Sequence, residues 1–220
     1  MRNHQKLLFT VLTALFLTAC SSSTDQQKKS AEAERTQPAA EKAPPPTAAD
    51  NKDKTFKVRF VTSKGPVVLE VHRDWAPLGA EQFHKLVEAK FFDGARFFRV
   101  VPRFVVQFGL AARPAVTKKW DHEIKDDPVV QTNRAGSVAF ATKGPETRTT
   151  QIFINLASNQ SLDSKGFAPF AQVIEGMEIV EQLYSGYGEQ PDQEAITKQG
   201  NPYLEKSFPN LDYIKTATIN

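Results

Sequence analysis

Arg99 and Gln107 are the residues of this 220-residue chain with the clearest chemical potential. They flank a single Pro102-Arg103 step inside a run of Val and Phe from Phe97 to Phe108. Such a run reads as two strands joined by a tight turn. A hairpin symmetric about Arg103 puts Arg99 opposite Gln107 and Val101 opposite Val105. Side chains two apart share a face, so Arg99, Val101, Val105 and Gln107 would line one surface. A guanidinium, a side-chain amide and apolar neighbours suit a neutral, partly apolar ligand with a carbonyl group. The same spacing fits an edge hairpin with a solvated arginine, and spacing alone leaves both readings open.

The parts for most other chemistries are missing. The histidines are His4, His72, His84 and His122, and none stands at metal-ligand spacing to a second ligand. Asp126-Asp127, before Pro128, reads as a solvated loop. Ser137 follows Gly136 with no nearby base. No glycine-rich phosphate loop or nucleophile elbow appears. No metal and no cofactor are therefore expected. The net charge of +3 includes +2 from Arg2 and Lys6. Residues 20–54 are charge-balanced, which leaves only +1 for residues 55–220. That gives no basis for nucleic-acid binding.

Rotation about an X-Pro peptide bond needs none of the missing parts. Amide resonance sets a barrier of about 18–20 kcal/mol. No covalent bond breaks, so catalysis means holding the twisted amide better than either planar form. Twisting shifts charge onto the prolyl nitrogen and the carbonyl oxygen. An arginine donor in a dry cleft could stabilise that shift, by roughly 1.5–3 kcal/mol for a charge-assisted hydrogen bond. An apolar pocket must hold the proline ring meanwhile.

The elements that would position these groups are mostly strands. Phe56–Val61 alternates, and a turn at Ser63–Pro66 leads to a second strand at Val67–Val71. Leu78–Lys90 reads as a helix behind Pro77, with Phe83, Leu86 and Val87 on one face. Ala112–Asp127 is polar and aperiodic and reads as loop. Short strands are expected at Ser137–Ala141, Gln151–Asn155 and Phe167–Val173, and a short helix at Met177–Tyr184. The tail reads as a long loop with one helical turn, then a strand at Tyr213–Thr218. All but two of the 16 phenylalanines lie in residues 55–220, so an aromatic core is available. Many short strands with two isolated helices suggest a mainly β fold, a closed barrel capped at its ends.

Three ordered segments carry a family resemblance. Phe97-Phe98-Arg99-Val100-Val101-Pro102-Arg103-Phe104-Val105-Val106-Gln107-Phe108-Gly109 resembles the signature of cyclophilin-type peptidyl-prolyl isomerases. Gly136–Ala141 through Gly144-Pro145 to Thr150–Ile154 is similar to that family's second motif. Leu162–Phe170 through Gly176-Met177 is similar to the third. The resemblance implies a closed eight-stranded antiparallel β-barrel with a helix at each end and a substrate groove on its outer face. It implies that Arg99 is the essential arginine at the prolyl amide and that Gln107 bonds substrate backbone and orients it. By the same match Phe104, Val105, Phe153 and Leu162 wall the proline pocket. Ala141 and Thr142 offer main chain to the residues before proline, and Gln151 lies beside the groove.

Several positions depart from the family pattern. Phe98 replaces a frequent histidine and Val105 a pocket methionine. Ser161 stands where many eukaryotic members have a tryptophan used in cyclosporin binding, and Phe167 where they have a groove histidine. Weak cyclosporin binding is the expected consequence. Leu110 replaces a common Gly-Asp pair, and the stretch from Gln190 to Asn210 is longer than in minimal members.

The first 54 residues read differently. Residues 1–19 carry Arg2 and Lys6 before an apolar run from Leu7 to Leu17, which is too short for a stable span and has the flanks of a signal peptide. Leu17-Thr18-Ala19-Cys20 resembles a bacterial lipoprotein signal, with Cys20 as the acylated residue and the membrane contact. Acyl chains anchor by roughly 0.8 kcal/mol per buried CH₂. With Cys20 acylated, the mature chain has no free thiol. Residues 20–54 are rich in Ser, Ala, Pro and balanced charge, contain no aromatic residue, and read as a disordered tether. A random coil of that length spans about 30–35 Å.

The expectation is a monomeric, lipid-anchored isomerase of proline-containing exported polypeptides in the cell envelope. Ser21 after the cysteine favours the outer membrane, facing the periplasm, if the source is a diderm bacterium. Two other readings fit the same groove: a proline-peptide-binding module with little turnover, and a tethered holdase chaperone.

Overall fold

The computed structural model describes residues 54–220. Cys20, the expected leader and most of the expected tether lie outside them. Along the chain run β1 (Thr55–Thr62), β2 (Pro66–His72), α1 (Pro77–Glu88), β3 (Arg99–Val101), β4 (Val105–Phe108) and α2 (Pro114–Trp120). There follow β5 (Ser137–Phe140), β6 (Ile152–Asn155), a 3-10 turn (Gln160–Lys165) and β7 (Pro169–Glu175). The chain ends with α3 (Met177–Glu181), α4 (Gln193–Gln199), α5 (Asn201–Ser207) and β8 (Ile214–Ile219).

The strands form one antiparallel eight-stranded sheet in the order β3-β4-β6-β5-β7-β2-β1-β8. Its curvature makes an open half-barrel, which corrects the closed barrel expected from the sequence. The edges are β3 and β8, and they do not pair with each other. The reason lies in β3. It is three residues long, and its outward Val100 N–H donates to Gly188 O at 3.2 Å. A loop thus covers the edge that β8 would need. The segment before β3 meets the segment entering β8 instead. Arg96 and Tyr213 form an isolated bridge, and Phe97 N–H donates to Asp212 O at 3.0 Å.

Period-2 alternation sorts the side chains between two faces. Val58, Phe60, Val67, Leu69, Val100, Val106, Phe108, Val138, Phe140, Ile152 and Ile154 point into the main core under α1. Phe60 sits at its centre, with ring centroids 6.2 Å from Phe83, 5.9 Å from Phe92 and 5.8 Å from Phe108. A fully buried ring of this kind stabilises the fold by roughly 1.5–3 kcal/mol, so these rings dominate the packing. Helix α1 contributes Ala80, Phe83, Leu86 and Val87 to the same core.

The expected two helices are too few. Among the described residues there are five α-helices and one 3-10 turn. Helix α2 forms where a loop was expected, started by Pro114. Helices α4 and α5 replace most of the expected tail loop. Asp192 caps α4 by accepting from Ala195 N–H at 2.7 Å, and Pro202 starts α5. Ile196, Leu204 and Leu211 from this tail pack with Phe98 and Leu110 in a satellite cluster. The unusual Leu110 and the long tail are therefore one feature: the first is the anchor of the second.

Asp127 is also corrected. It is buried rather than solvated, and it pairs with Arg148.

Candidate active site

The hairpin register is the symmetric one, with Arg99 opposite Gln107 and Val101 opposite Val105. The turn closes by Phe104 N–H donating to Val101 O at 3.0 Å. Arg103 takes φ +62°, as the third residue of a Pro-started type II turn requires.

The row continues across the sheet. Gln107 pairs with Phe153 on β6, and Phe153 pairs with Ala139 on β5. Arg99, Gln107, Phe153 and Ala139 thus stand side by side on four neighbouring strands. Strands lie about 4.8 Å apart, so this row is about 14 Å long, the reach of roughly four extended residues. Its donor end is polar and its far end is apolar.

The apolar end is a small cluster on the outer face of the sheet. Val105, Ala139, Phe153 and Leu162 are buried there, with Phe104, Ala141 and Phe167 packed around them. Phe153 and Phe167 meet edge to face at 5.6 Å. Leu162 comes from the 3-10 turn, which also carries the exposed Ser161. A chain of buried amides holds that turn to the sheet. Asn133 Nδ2 donates to Asp163 Oδ1 at 2.8 Å and to Phe167 O at 2.8 Å, and Asn155 Nδ2 donates to Asn133 Oδ1 at 3.1 Å.

At the polar end, Arg99 Nη1 donates to Gln107 Oε1 at 3.2 Å. Gln107 Nε2 donates to Gln151 Oε1 at 2.8 Å. The guanidinium carbon lies 5.5 Å from the Phe104 ring centroid, within cation–π range. Arg99 Nε also donates to Glu189 Oε1 at 2.6 Å, and Nη2 donates to the same oxygen. No sequence signal singled out Glu189, which lies between α3 and α4 outside any periodic segment.

All ten sequence-predicted groove residues line one groove of about 1010 Å³: Arg99, Phe104, Val105, Gln107, Ala141, Thr142, Gln151, Phe153, Leu162 and Phe167. Helices α2 and α4 extend its wall with Thr117, Glu194, Thr197 and Lys198, and Asp121 follows α2. Gly109 lets the chain leaving β4 run against Thr150 and Gln151 just before β6. A Cβ at Gly109, where φ is +104°, would stand 2.3 Å from Thr150 O. Among the described residues, no group of three His, Cys, Asp or Glu side chains is placed to hold a metal ion. The row and the apolar cluster give the groove the shape for an extended peptide, a seat for one apolar ring and guanidinium N–H groups beside it.

Residues 57–201 match the family profile described as cyclophilin type peptidyl-prolyl cis-trans isomerase/CLD. A peptidyl-prolyl cis-trans isomerase of Acinetobacter baylyi is 33% identical over 132 residues, a match covering 57% of this chain and 70% of that protein. Peptidyl-prolyl cis-trans isomerase ppi1 of Schizosaccharomyces pombe is 31% identical over 132 residues, covering 57% of this chain and 83% of its own length. The fold is also similar to the crystal structure of a Cryptosporidium parvum cyclophilin type peptidyl-prolyl cis-trans isomerase. That match has TM-score 0.58 and 22% identity, and covers 76% of this chain and 98% of that one. The same parasite protein, solved in the presence of the dipeptide Ala-Pro, matches with TM-score 0.57 and 22% identity over 74% of this chain and 98% of that one.

Proposed function

We propose that this chain, which belongs to the cyclophilin-type peptidyl-prolyl cis-trans isomerase family, rotates X-Pro peptide bonds in exported polypeptides. The observation that carries the mechanism is the row of Arg99, Gln107, Phe153 and Ala139 across four strands. It sets an apolar seat beside a held guanidinium. The proline ring sits against Val105, Phe153 and Leu162, with Phe104 and Phe167 at its edges. The residues before proline lie along Ala141 and Thr142. Seating the ring fixes one half of the bond while the other half turns.

As the amide twists, resonance is lost and the prolyl nitrogen becomes pyramidal. Arg99 N–H groups meet the lone pair and the displaced charge. Gln107 holds Arg99 from one side and is itself held by Gln151. No proton moves and no bond breaks. The stabilisation is specific to the twisted state, so it raises turnover rather than simple affinity.

NMR exchange spectroscopy on an Ala-Pro peptide tests the activity: the chain should accelerate cis–trans exchange. Phe153→Ala tests the seat. It should raise KM about 5- to 30-fold with little change in kcat, because a ring contact worth about 1–2 kcal/mol acts on both planar and twisted forms. A fall in kcat at constant KM would count against Phe153 as a binding wall. Peptide affinity without any accelerated exchange would favour a proline-binding module.

We further propose that the domain works as a monomer at the cell envelope, tethered through acylated Cys20. Support comes from the apolar run ending at Leu17-Thr18-Ala19-Cys20 and from the charge-balanced stretch behind it. If the source is a diderm bacterium, Ser21 favours the outer membrane, with the groove facing periplasmic clients. Labelled palmitate should be incorporated by the wild-type chain and not by Cys20→Ala. Equal labelling of the two would remove the anchor.

A further inference from the structure

We infer that Glu189 is a positioning residue for Arg99, an assignment that rests on the isomerase reading above. A guanidinium has five N–H bonds in a planar fork. Here Nε and Nη2 each commit one to Glu189 Oε1, and Nη1 commits one to Gln107 Oε1. The side edge of the fork is held by the carboxylate and the opposite nitrogen by the amide. One Nη1 and one Nη2 hydrogen stay free for a prolyl amide. Arg99 is therefore oriented from two sides without losing the donors that its reaction needs.

The placement of Glu189 is built into the fold. It follows Gly188, whose carbonyl accepts from Val100 N–H at 3.2 Å, so the loop is bonded to β3 at the residue next to Arg99. The loop is also folded on itself: Gly188 N–H donates to Ser185 O at 3.0 Å, and Gln190 N–H donates to Tyr187 O at 2.9 Å. Tyr187 then stacks edge to face on Tyr184 at 5.0 Å and on Phe208 at 5.1 Å. The α4–α5 tail thus fixes the Glu189 backbone against the edge strand that carries Arg99.

A positioning role agrees with the exposures. The Arg99 side chain is 24% exposed, and the Glu189 side chain is 63% exposed. Water screens a carboxylate so open, and it cancels little of the guanidinium's field. Its contribution is direction. An arginine has much rotamer freedom to lose, and Gln107 alone offers one bond at 3.2 Å. Prior orientation by Glu189 means that this freedom is not lost again in the twisted state.

The test uses the full chain, with Glu189→Ala, Glu189→Gln and an Arg99→Ala control, in the Ala-Pro exchange assay at several peptide concentrations. Glu189→Ala should lower kcat about 3- to 10-fold with KM changed less than about twofold, the pattern of lost pre-orientation. Glu189→Gln keeps an acceptor oxygen and should restore most of the rate. The ¹⁵N relaxation of Arg99 Nε–H should show lost order in Glu189→Ala and retained order in Glu189→Gln. A Glu189→Ala kcat equal to or above wild type would overturn the assignment, since the carboxylate would then be idle or a competitor for the guanidinium. Unchanged Nε–H order would overturn it as well. A wild-type rate in Arg99→Ala would instead overturn the parent mechanism, and that control separates the two failures.

Discussion

Arg99→Ala is expected to lower kcat/KM about 10- to 150-fold, the rate equivalent of one charge-assisted hydrogen bond worth roughly 1.5–3 kcal/mol. Most of the loss should appear in kcat. The ring seat of Val105, Phe153 and Leu162 does not depend on Arg99, so ground-state binding survives. Gln107 keeps its bond to Gln151, which limits disorder in the groove wall. The fold should survive too. Arg99 lies on an edge strand, points away from the phenylalanine core and is a quarter exposed. A thermal midpoint within a few degrees of wild type would confirm that the rate loss is chemical. Arg99→Lys should recover little, because a lysine cannot bond Glu189, Gln107 and a prolyl amide from one planar fork. Equal exchange rates for Arg99→Ala and wild type would sink the arginine mechanism.

The largest expected effect on stability is at Asp127. Asp127→Ala should destabilise the fold by about 3–5 kcal/mol, the usual loss when one partner of a buried ion pair is removed. The side chains of Arg148 and Asp127 are 3% and 1% exposed, with Nη1 and Oδ2 3.1 Å apart. Asp127 also supplies the cap that α1 lacks locally. No side chain at Ala76 caps the helix, and Asp127 accepts from Leu78 N–H at 3.0 Å and from Gly79 N–H at 2.8 Å. Its removal leaves a buried guanidinium with Asp126 at 3.2 Å as its remaining ion-pair partner, and two helix N–H groups unbonded. Close approach makes this junction sensitive: a Cβ on Gly79 would stand 3.3 Å from Arg148 Nη1. For a domain of this size the midpoint should fall by roughly 10 °C or more. Urea unfolding that shows a loss below about 1 kcal/mol would place the pair with ordinary surface ion pairs.

Much of the groove was legible because alternation is local. Once Pro102-Arg103 is read as the turn, the two-residue period puts Arg99 and Gln107 on one face and Val100 and Val106 on the other. The same period separates Phe153 from Ile152 and Ile154. The roles of those residues came from the family motifs, and their assembly in one groove required the strand order. The helices were less legible. Pro114 and Asp192 are ordinary start signals, but the segments behind them are polar and short. Their stability comes from tertiary packing, of Ile196 against Phe98 and Leu110 and of Val116 and Trp120 against the main core, which composition does not reveal.

By itself the sequence determined that Arg99, Val105 and Gln107 share one face of the hairpin, since a strand's pleat and a proline turn need only neighbouring residues; the other groove residues came from the family motifs. It also carried the composition break near residue 54 and the cysteine after the leader-like run. Only the tertiary structure decided what meets Arg99 and Asp127. Glu189 lies 90 residues from Arg99, and Leu78 lies 49 from Asp127. Such pairs depend on the path of the whole chain. The open seam between β3 and β8 has the same origin: the Gly188 carbonyl occupies the free edge of β3, and that contact also sets Glu189 beside the arginine.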